Sequence, residues 1–326
     1  MARLRAVRVY LHPWGDRVGQ IVARCYCQQT RLFRSHKLRT RANPAGRPGG
    51  TTDPREILTR PTSAPDITLR YGPGPDHVGD LWLPASGQAP LVIFFHGGFW
   101  QAAFDRTHTA TLAAALAARG FAVCTPEFRR IGQPGGAWPG TFDDVAAAVD
   151  ILPRLVADAA RPGSVEPGRL ILAGHSAGGH LAMWALARHR MPPGSPWQLP
   201  APPCLGVVAL APVSDLAACH ALGLENRVTD RLIGGGPERY PERYALTDPA
   251  RLIPLGRPVR IVHGTVDDRV PYEMSRDYTA RALAVGDQVV LSTLPGCGHF
   301  ELIDPLSAAW PTVLAAFEAI ASVPGS

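Results

Sequence analysis

Residues 170–189 restrict what this chain can fold into more than any other stretch. An apolar run (LILA, 170–173) leads without a spacer into Gly174, His175, Ser176, Ala177, Gly178 and Gly179, and the residues up to 189 then carry helical spacing. A strand that passes straight into a helix through a glycine-flanked serine must make a sharp, strained turn. Small residues have to flank the serine, because added side chains there would collide with nearby backbone. Such a turn lifts Ser176 Oγ above a sheet edge, next to a helix N-terminus whose free amides favour negative charge. Ser176 is therefore the candidate nucleophile, and the fold must contain a sheet whose strands end beside it.

From about residue 65 the chain keeps alternating between strand and helix patterns. Residues 66–71 and 78–83 alternate polar and apolar as an antiparallel pair does. Residues 91–95 (LVIFF) form an unbroken apolar run, as in a strand buried on both faces. A helix is expected over 107–119, closing at Gly120, then a strand over 121–125. The next expected helix covers 141–157, with a kink at Pro153. Further strands are expected at 205–210, 259–262 and 289–294, with helices at 272–284 and 305–322. This alternation predicts an α/β protein with a mostly parallel central sheet and helices on both faces. Two stretches break the pattern: 190–203, rich in proline, and 215–250, with mixed helix and turn signals. Both are assigned to a small cap or rim at the carboxyl edge of the sheet, where such folds bind ligands.

Residues 1–60 differ in character and are read as a basic, disordered extension preceding a catalytic domain over 61–326. Residues 1–50 hold eleven Lys and Arg against one acid, Asp16, so this segment carries +10 and the remainder −4. The net +6 of the chain thus belongs to the extension, and the folded part offers no basic face for nucleic acid. The segment is Arg-rich and acid-poor, like a transit peptide, and lacks the apolar stretch of a secretory signal. No apolar run reaches the ~18 residues of a membrane helix. Six cysteines lie scattered at 25, 27, 124, 204, 219 and 297, unlike the dense framework of a small secreted fold. They are read as reduced thiols of a cytoplasmic protein.

Three further motifs supply partners for Ser176. His96, Gly97, Gly98, Phe99 and Trp100 follow the strand expected at 91–95. Glycines there let backbone N–H groups turn inward, and the amides of Gly98, Phe99 and Ala177 become candidate oxyanion donors, each worth roughly 3 kcal/mol of barrier. His96 precedes the serine and is read as a structural hydrogen-bonding residue. Asp267 follows the strand at 259–262 in the run HGTVDDRVP; Asp268 is its rival for the orienting acid. His299, in the loop with Gly296 and Gly298 after the last strand, completes the order Ser, Asp, His. The histidines at 108, 175, 180, 189, 220 and 263 are read as structural or surface residues. Trp100 and Phe300, next to the two loops, are candidate walls for a flat substrate.

These residues resemble the α/β-hydrolase superfamily, and within it the kynurenine formamidase (arylformamidase) and carboxylesterase branch. The resemblance runs from about residue 64 to 322. His96 to Trp100 is similar to the H-G-G-x-W oxyanion motif of the formamidases, and Phe99 differs from the H-G-G-G of hormone-sensitive-lipase-like esterases. Glu127 to Arg130, with Trp138, Pro139, Asp143, Asp144 and Val145, resembles a Y-R-L…W-P…D-V stretch, with Phe128 where a tyrosine is usual. The resemblance implies a serine hydrolase that removes a small acyl or formyl group from an ester or aryl amide through an acyl-enzyme. It implies a small-molecule substrate and no metal or organic cofactor. A broad carboxylesterase or lactonase uses the same chemistry. A silent, hydrolase-like binding module would be expected to lack the serine or the histidine, and both are present.

Overall fold

Continuous apolar strands need both faces covered, and the computed structural model, which describes residues 53–200 and 204–324, meets that need with helices on either side of one sheet. The strands are β1 (Ile67–Arg70), β2 (Val78–Trp82), β3 (Ala89–Phe95), β4 (Ala122–Pro126), β5 (Val165–His175), β6 (Cys204–Leu210), β7 (Val259–Gly264) and β8 (Val289–Leu294). They lie in the order β1-β2-β4-β3-β5-β6-β7-β8. β2 is antiparallel to β1 and to β4, and every other pairing is parallel. This is an α/β-hydrolase fold.

Side-chain alternation along β3 shows how one apolar run serves two cores. Leu91, Ile93 and Phe95 enter one hydrophobic cluster, with Phe142, Val145 and Trp184. Val92 and Phe94 enter the other, with Leu112, Leu116, Val313 and Phe317. The first cluster is closed by α2 (Gly140–Ala159) and α3 (Ala177–Ala187), the second by α1 (Ala110–Ala117) and α8 (Trp310–Ala321). α4 (Leu216–Ala221), α5 (Leu224–Ile233) and α6 (Pro241–Thr247) form the small cap, and α7 (Tyr272–Ala284) precedes β8.

The topology gathers the sequence motifs. β3, β5, β6, β7 and β8 are adjacent and parallel, so their carboxyl ends share one edge. Register keeps those ends level: Phe95 pairs with Gly174, His175 with Leu210, and Gly264 with Leu294. The 96–100 loop, the Ser176 turn, the cap, the 265–271 loop and the His299 loop all leave from that edge.

Several expectations shift. Residues 190–200 lead from the end of α3 into the start of β6, so they lie at the amino edge, away from the Ser176 turn. Among the described residues, the 215–250 insertion, which follows the end of β6, is the one that forms cap. The last helix begins at Trp310 rather than 305, with Pro311 in its first turn, where a missing N–H costs nothing. Of the extension, residues 1–52 lie outside the described residues. Residues 53–60, expected to be disordered, instead form a 3-10 helix, Pro54–Thr59, capped by Asp53. Ile57 is 1% exposed, and Arg60 pairs with Asp304 at 2.5 and 2.8 Å, so the packed domain already includes this turn.

Candidate active site

The Ser176 turn is strained as its sequence requires. Ser176 has φ 58° and ψ −120°, a conformation L-residues avoid. A Cβ on Gly174 would sit 2.2 Å from the Gly178 carbonyl oxygen, and one on Gly178 2.0 Å from that of Phe95. The glycines are thus imposed by the close passage of β5, α3 and the end of β3. The Ser176 amide donates to Leu210 O at 2.8 Å, and its carbonyl accepts from Val213 at 3.2 Å, which fixes the turn on β6. Among the described residues Ser176 Oγ makes no hydrogen bond. In ligand-free sites such bonds are often long and tighten only with substrate.

The loop after β3 holds a run of three residues with positive φ: Gly98 (103°), Phe99 (49°) and Trp100 (55°). Gly98 is required here, since a Cβ would lie 2.4 Å from Cβ of Phe104. Among the described residues the amides of Gly98, Phe99 and Ala177 donate to no protein acceptor. Two free amides in the loop after β3 and one at the first residue of α3, next to a buried serine (2% exposed), are of the kind that can receive an oxyanion. His96 is a structural residue, as expected. It is fully buried, stacks on Phe128 at 4.4 Å, and its nitrogens face Gly97 O at 2.8 Å and Glu127 Oε1 at 2.9 Å. Burial opposes the charge of Glu127, yet His96, Arg130 and the Arg106 amide hold its carboxyl down at about 2. Tyr71 donates to the Glu127 carbonyl, so this network ties β4 to β1.

Asp267 and His299 meet. His299 Nδ1 lies 2.6 Å from Asp267 Oδ2, while Asp267 Oδ1 accepts from the amides of Arg269 (2.8 Å) and Val270 (2.9 Å). The Asp267 carboxylate is fully buried, and its neighbour Asp268 is 73% exposed, paired loosely with Arg269 at 3.6 Å. Burial alone would raise the pKa of Asp267; the His263 and His299 imidazoles and the Val270 amide reverse this and hold it far below the usual carboxylate range. A carboxylate that stays ionised beside Nδ1 fixes the imidazole with its proton there and leaves Nε2 free to accept one.

Two histidines read from sequence as structural or surface residues also touch Asp267 and His299. His175 packs its ring 4.4 Å from that of His299 and its Nε2 lies 3.1 Å from the His299 carbonyl. Burial, with His299 alongside, pushes the pKa of His175 well down, so it stays neutral beside His299. His263 lies 3.2 Å from Asp267 Oδ2. The sequence signal of His175 was its position at the serine turn, and that of His263 its place at the head of the run HGTVDDRVP that carries the acid.

The aromatic walls divide. Phe300 is partly exposed, with its ring 5.2 Å from that of His299. Trp100 does not face a ligand: it is 0% exposed, with its ring edge-on to His180 at 5.1 Å. The left-handed run 98–100 turns the indole into the core, which corrects its expected place in the substrate wall. Among the described residues no group of His, Cys, Asp and Glu is arranged to hold a metal, and no helix is long and apolar enough to cross a membrane.

With this geometry in hand, the chain can be set beside known proteins. It is 28% identical over 254 residues to Esterase LipC of Mycobacterium tuberculosis, a match covering 72% of this chain and 59% of that protein's length. It is 31% identical over 149 residues to the kynurenine formamidase of Danio rerio, covering 45% of each. A truncated carbohydrate esterase from gut microbiota superposes with a TM-score of 0.66 at 20% identity, over 80% of this chain and all of that one; at that identity the likeness speaks to fold alone. The BD-FAE family model matches residues 80–281, more than half of the chain. The fold, the strained serine turn and this match together place the protein in the BD-FAE family of α/β-hydrolases.

Proposed function

We propose that this serine hydrolase transfers small acyl or formyl groups to water, with Ser176 as nucleophile, His299 as base and Asp267 as orienting acid. The observation that carries the reading is the 2.6 Å Asp267–His299 contact on the sheet edge that also bears the strained Ser176 turn. In this reading His299 Nε2 takes the proton of Ser176 Oγ as the oxygen attacks the carbonyl carbon. The amides of Gly98, Phe99 and Ala177 hold the oxyanion. His299 then protonates the leaving oxygen or nitrogen, and a water repeats the sequence to release the acid. Every proton taken by His299 is returned within the cycle, so the chemistry calls for no cofactor.

Close packing supports a small acyl group: Ser176 is 2% exposed, His299 4% and Phe99 8%. The partly exposed Phe300, beside the base, supports a flat leaving group, and the likeness to a kynurenine formamidase supports an aryl formamide as one substrate. The likeness to LipC supports the broader carboxylesterase reading. The four described cysteines carry free thiols, three of them buried, which supports a reducing, cytoplasmic setting for a catalytic domain beginning near residue 53. The test is the ratio of kcat/KM for N-formyl aromatic amines and p-nitrophenyl acetate, butyrate and octanoate. Acetate should exceed octanoate. A preference for octanoate refutes the small acyl pocket, and cleavage of acetate without any aryl formamide assigns the enzyme to the ester branch.

A further inference from the structure

We propose that His263 is a positioning residue for this site: it clamps the Asp267 turn so that Oδ2 stays aimed at His299. The inference rests on the triad reading above. His263 is the fifth residue of β7 and is fully buried. Its Nε2 lies 3.0 Å from the Val270 carbonyl oxygen and 3.2 Å from Asp267 Oδ2. Both neighbours are acceptors, so this nitrogen carries the proton, directed at Val270 O with the carboxylate alongside. Its Nδ1 lies 2.7 Å from Oγ of Ser275, a fully buried residue of α7. The Ser275 hydroxyl makes no other hydrogen bond among the described residues, so it donates to Nδ1 and locks the tautomer.

One buried N–H thereby bridges both ends of the 267–270 turn. The two amides inside that turn hold Oδ1, at 2.8 and 2.9 Å. Oδ1 cannot rotate away from its amides, and Oδ2 is held between His263 and His299. The same clamp places α7, through Ser275, in mechanical contact with the acid. The polar or charged groups around the two rings are few. His299 is bordered by Asp267 and His175, with Glu301 bound to the amide of the adjoining Gly298 at 3.2 Å and Arg269 6.0 Å from the Phe300 ring. His263 is bordered by Asp267, Ser275 and the Tyr272 ring at 5.9 Å.

The experiment measures kcat and KM against pH, with p-nitrophenyl acetate, for the full chain and its His263→Leu, His263→Gln and Ser275→Ala variants. Leucine fills the volume without a donor; glutamine restores an N–H where Nε2 stood. His263→Leu should lower kcat about ten- to a hundredfold, the range for losing a hydrogen bond to a charged group. KM should stay within about twofold, because ground-state binding is untouched. The acid limb of kcat/KM should move to higher pH, since a carboxylate with fewer donors attracts the proton on His299 more strongly. Glutamine should recover most of the loss, and Ser275→Ala should lose a few-fold. A folded leucine variant with wild-type kcat and pH profile overturns the proposal, as does glutamine no better than leucine. If the leucine variant does not fold, Ser275→Ala with an unchanged rate and profile overturns it equally. Asp267→Asn and Ser176→Ala run alongside: if they stay active the triad reading itself fails, and if they are dead while the His263 variants match wild type only this inference fails.

Discussion

Replacing Asp267 by asparagine tests the orienting acid directly, and the structure indicates how the loss arises. Four N–H groups surround the carboxylate: the amides of Arg269 and Val270 at Oδ1, and the imidazoles of His299 and His263 at Oδ2. An asparagine has one oxygen and one NH2 to place among them. The backbone amides cannot change their protonation, whereas an imidazole can change tautomer, so the oxygen turns to the Oδ1 side and the NH2 faces His299. His299 Nδ1 must then accept, its proton moves to Nε2, and Nε2 can no longer receive the Ser176 proton. The matching change in a well-studied triad costs about 10⁴ in kcat, or roughly 5.5 kcal/mol of barrier. Asp268→Asn loses only a loose pair at an exposed carboxylate and should stay within about twofold. The assay is kcat with p-nitrophenyl acetate on variants shown by circular dichroism to be folded, with fluorophosphonate labelling of the serine as a second readout. If Asp267→Asn keeps more than a tenth of the wild-type rate, or if Asp268→Asn is the worse variant, the reasoning is refuted.

Ser176→Ala should abolish both turnover and labelling while the fold persists, since alanine can occupy the same strained turn; labelling at another serine would refute the nucleophile. Gly98→Ala should cost at least about a hundredfold in kcat, because its Cβ would lie 2.4 Å from that of Phe104 and push a proposed oxyanion amide aside; near-wild-type kcat would refute that role for the loop. Stability should fall as pH drops below the ordinary histidine range. Burial depresses the folded pKa of His108 to about 3 and of His180 to about 4, so from about pH 6.5 down to those values the unfolded chain binds more protons than the folded one. Urea midpoints between pH 7.5 and 5 should show this decline, and a flat profile would contradict it. Truncation before Asp53 should leave kcat/KM within a few-fold. Removing residues 1–60 also removes buried Ile57 and the Arg60–Asp304 pair, and should lower stability by about 2 kcal/mol or more, read from the same urea midpoints.

The sequence determined whatever depends on near neighbours along the chain. A glycine-flanked serine between an apolar run and a helix permits one local geometry, so the turn at Ser176 was legible from six residues. The β-α alternation set the class of sheet, and the order of Ser176, Asp267 and His299 made each a loop at the same edge. Even the preference for Asp267 over its neighbour was available from spacing, and the structure buries the one and exposes the other. Tertiary structure decided what depends on the direction a side chain takes once distant segments pack. Trp100 looked like a substrate wall because it follows the oxyanion glycines; the left-handed run from Gly98 turns it against His180, eighty residues on, and no local pattern encodes that turn. Residues 190–200 looked like cap because they are rich in proline, but a segment leading into a parallel strand must lie at that strand's amino end. Arg60 gave no sign of order in a basic segment, and its side chain is held by Asp304, 244 residues away in the chain. His175 carried no signal beyond position, and His263 only its place at the head of the run HGTVDDRVP. Their contacts with His299 and Asp267 exist because β5, β7 and β8 bring three loops to one edge, where buried nitrogens must find oxygen partners or pay for their desolvation.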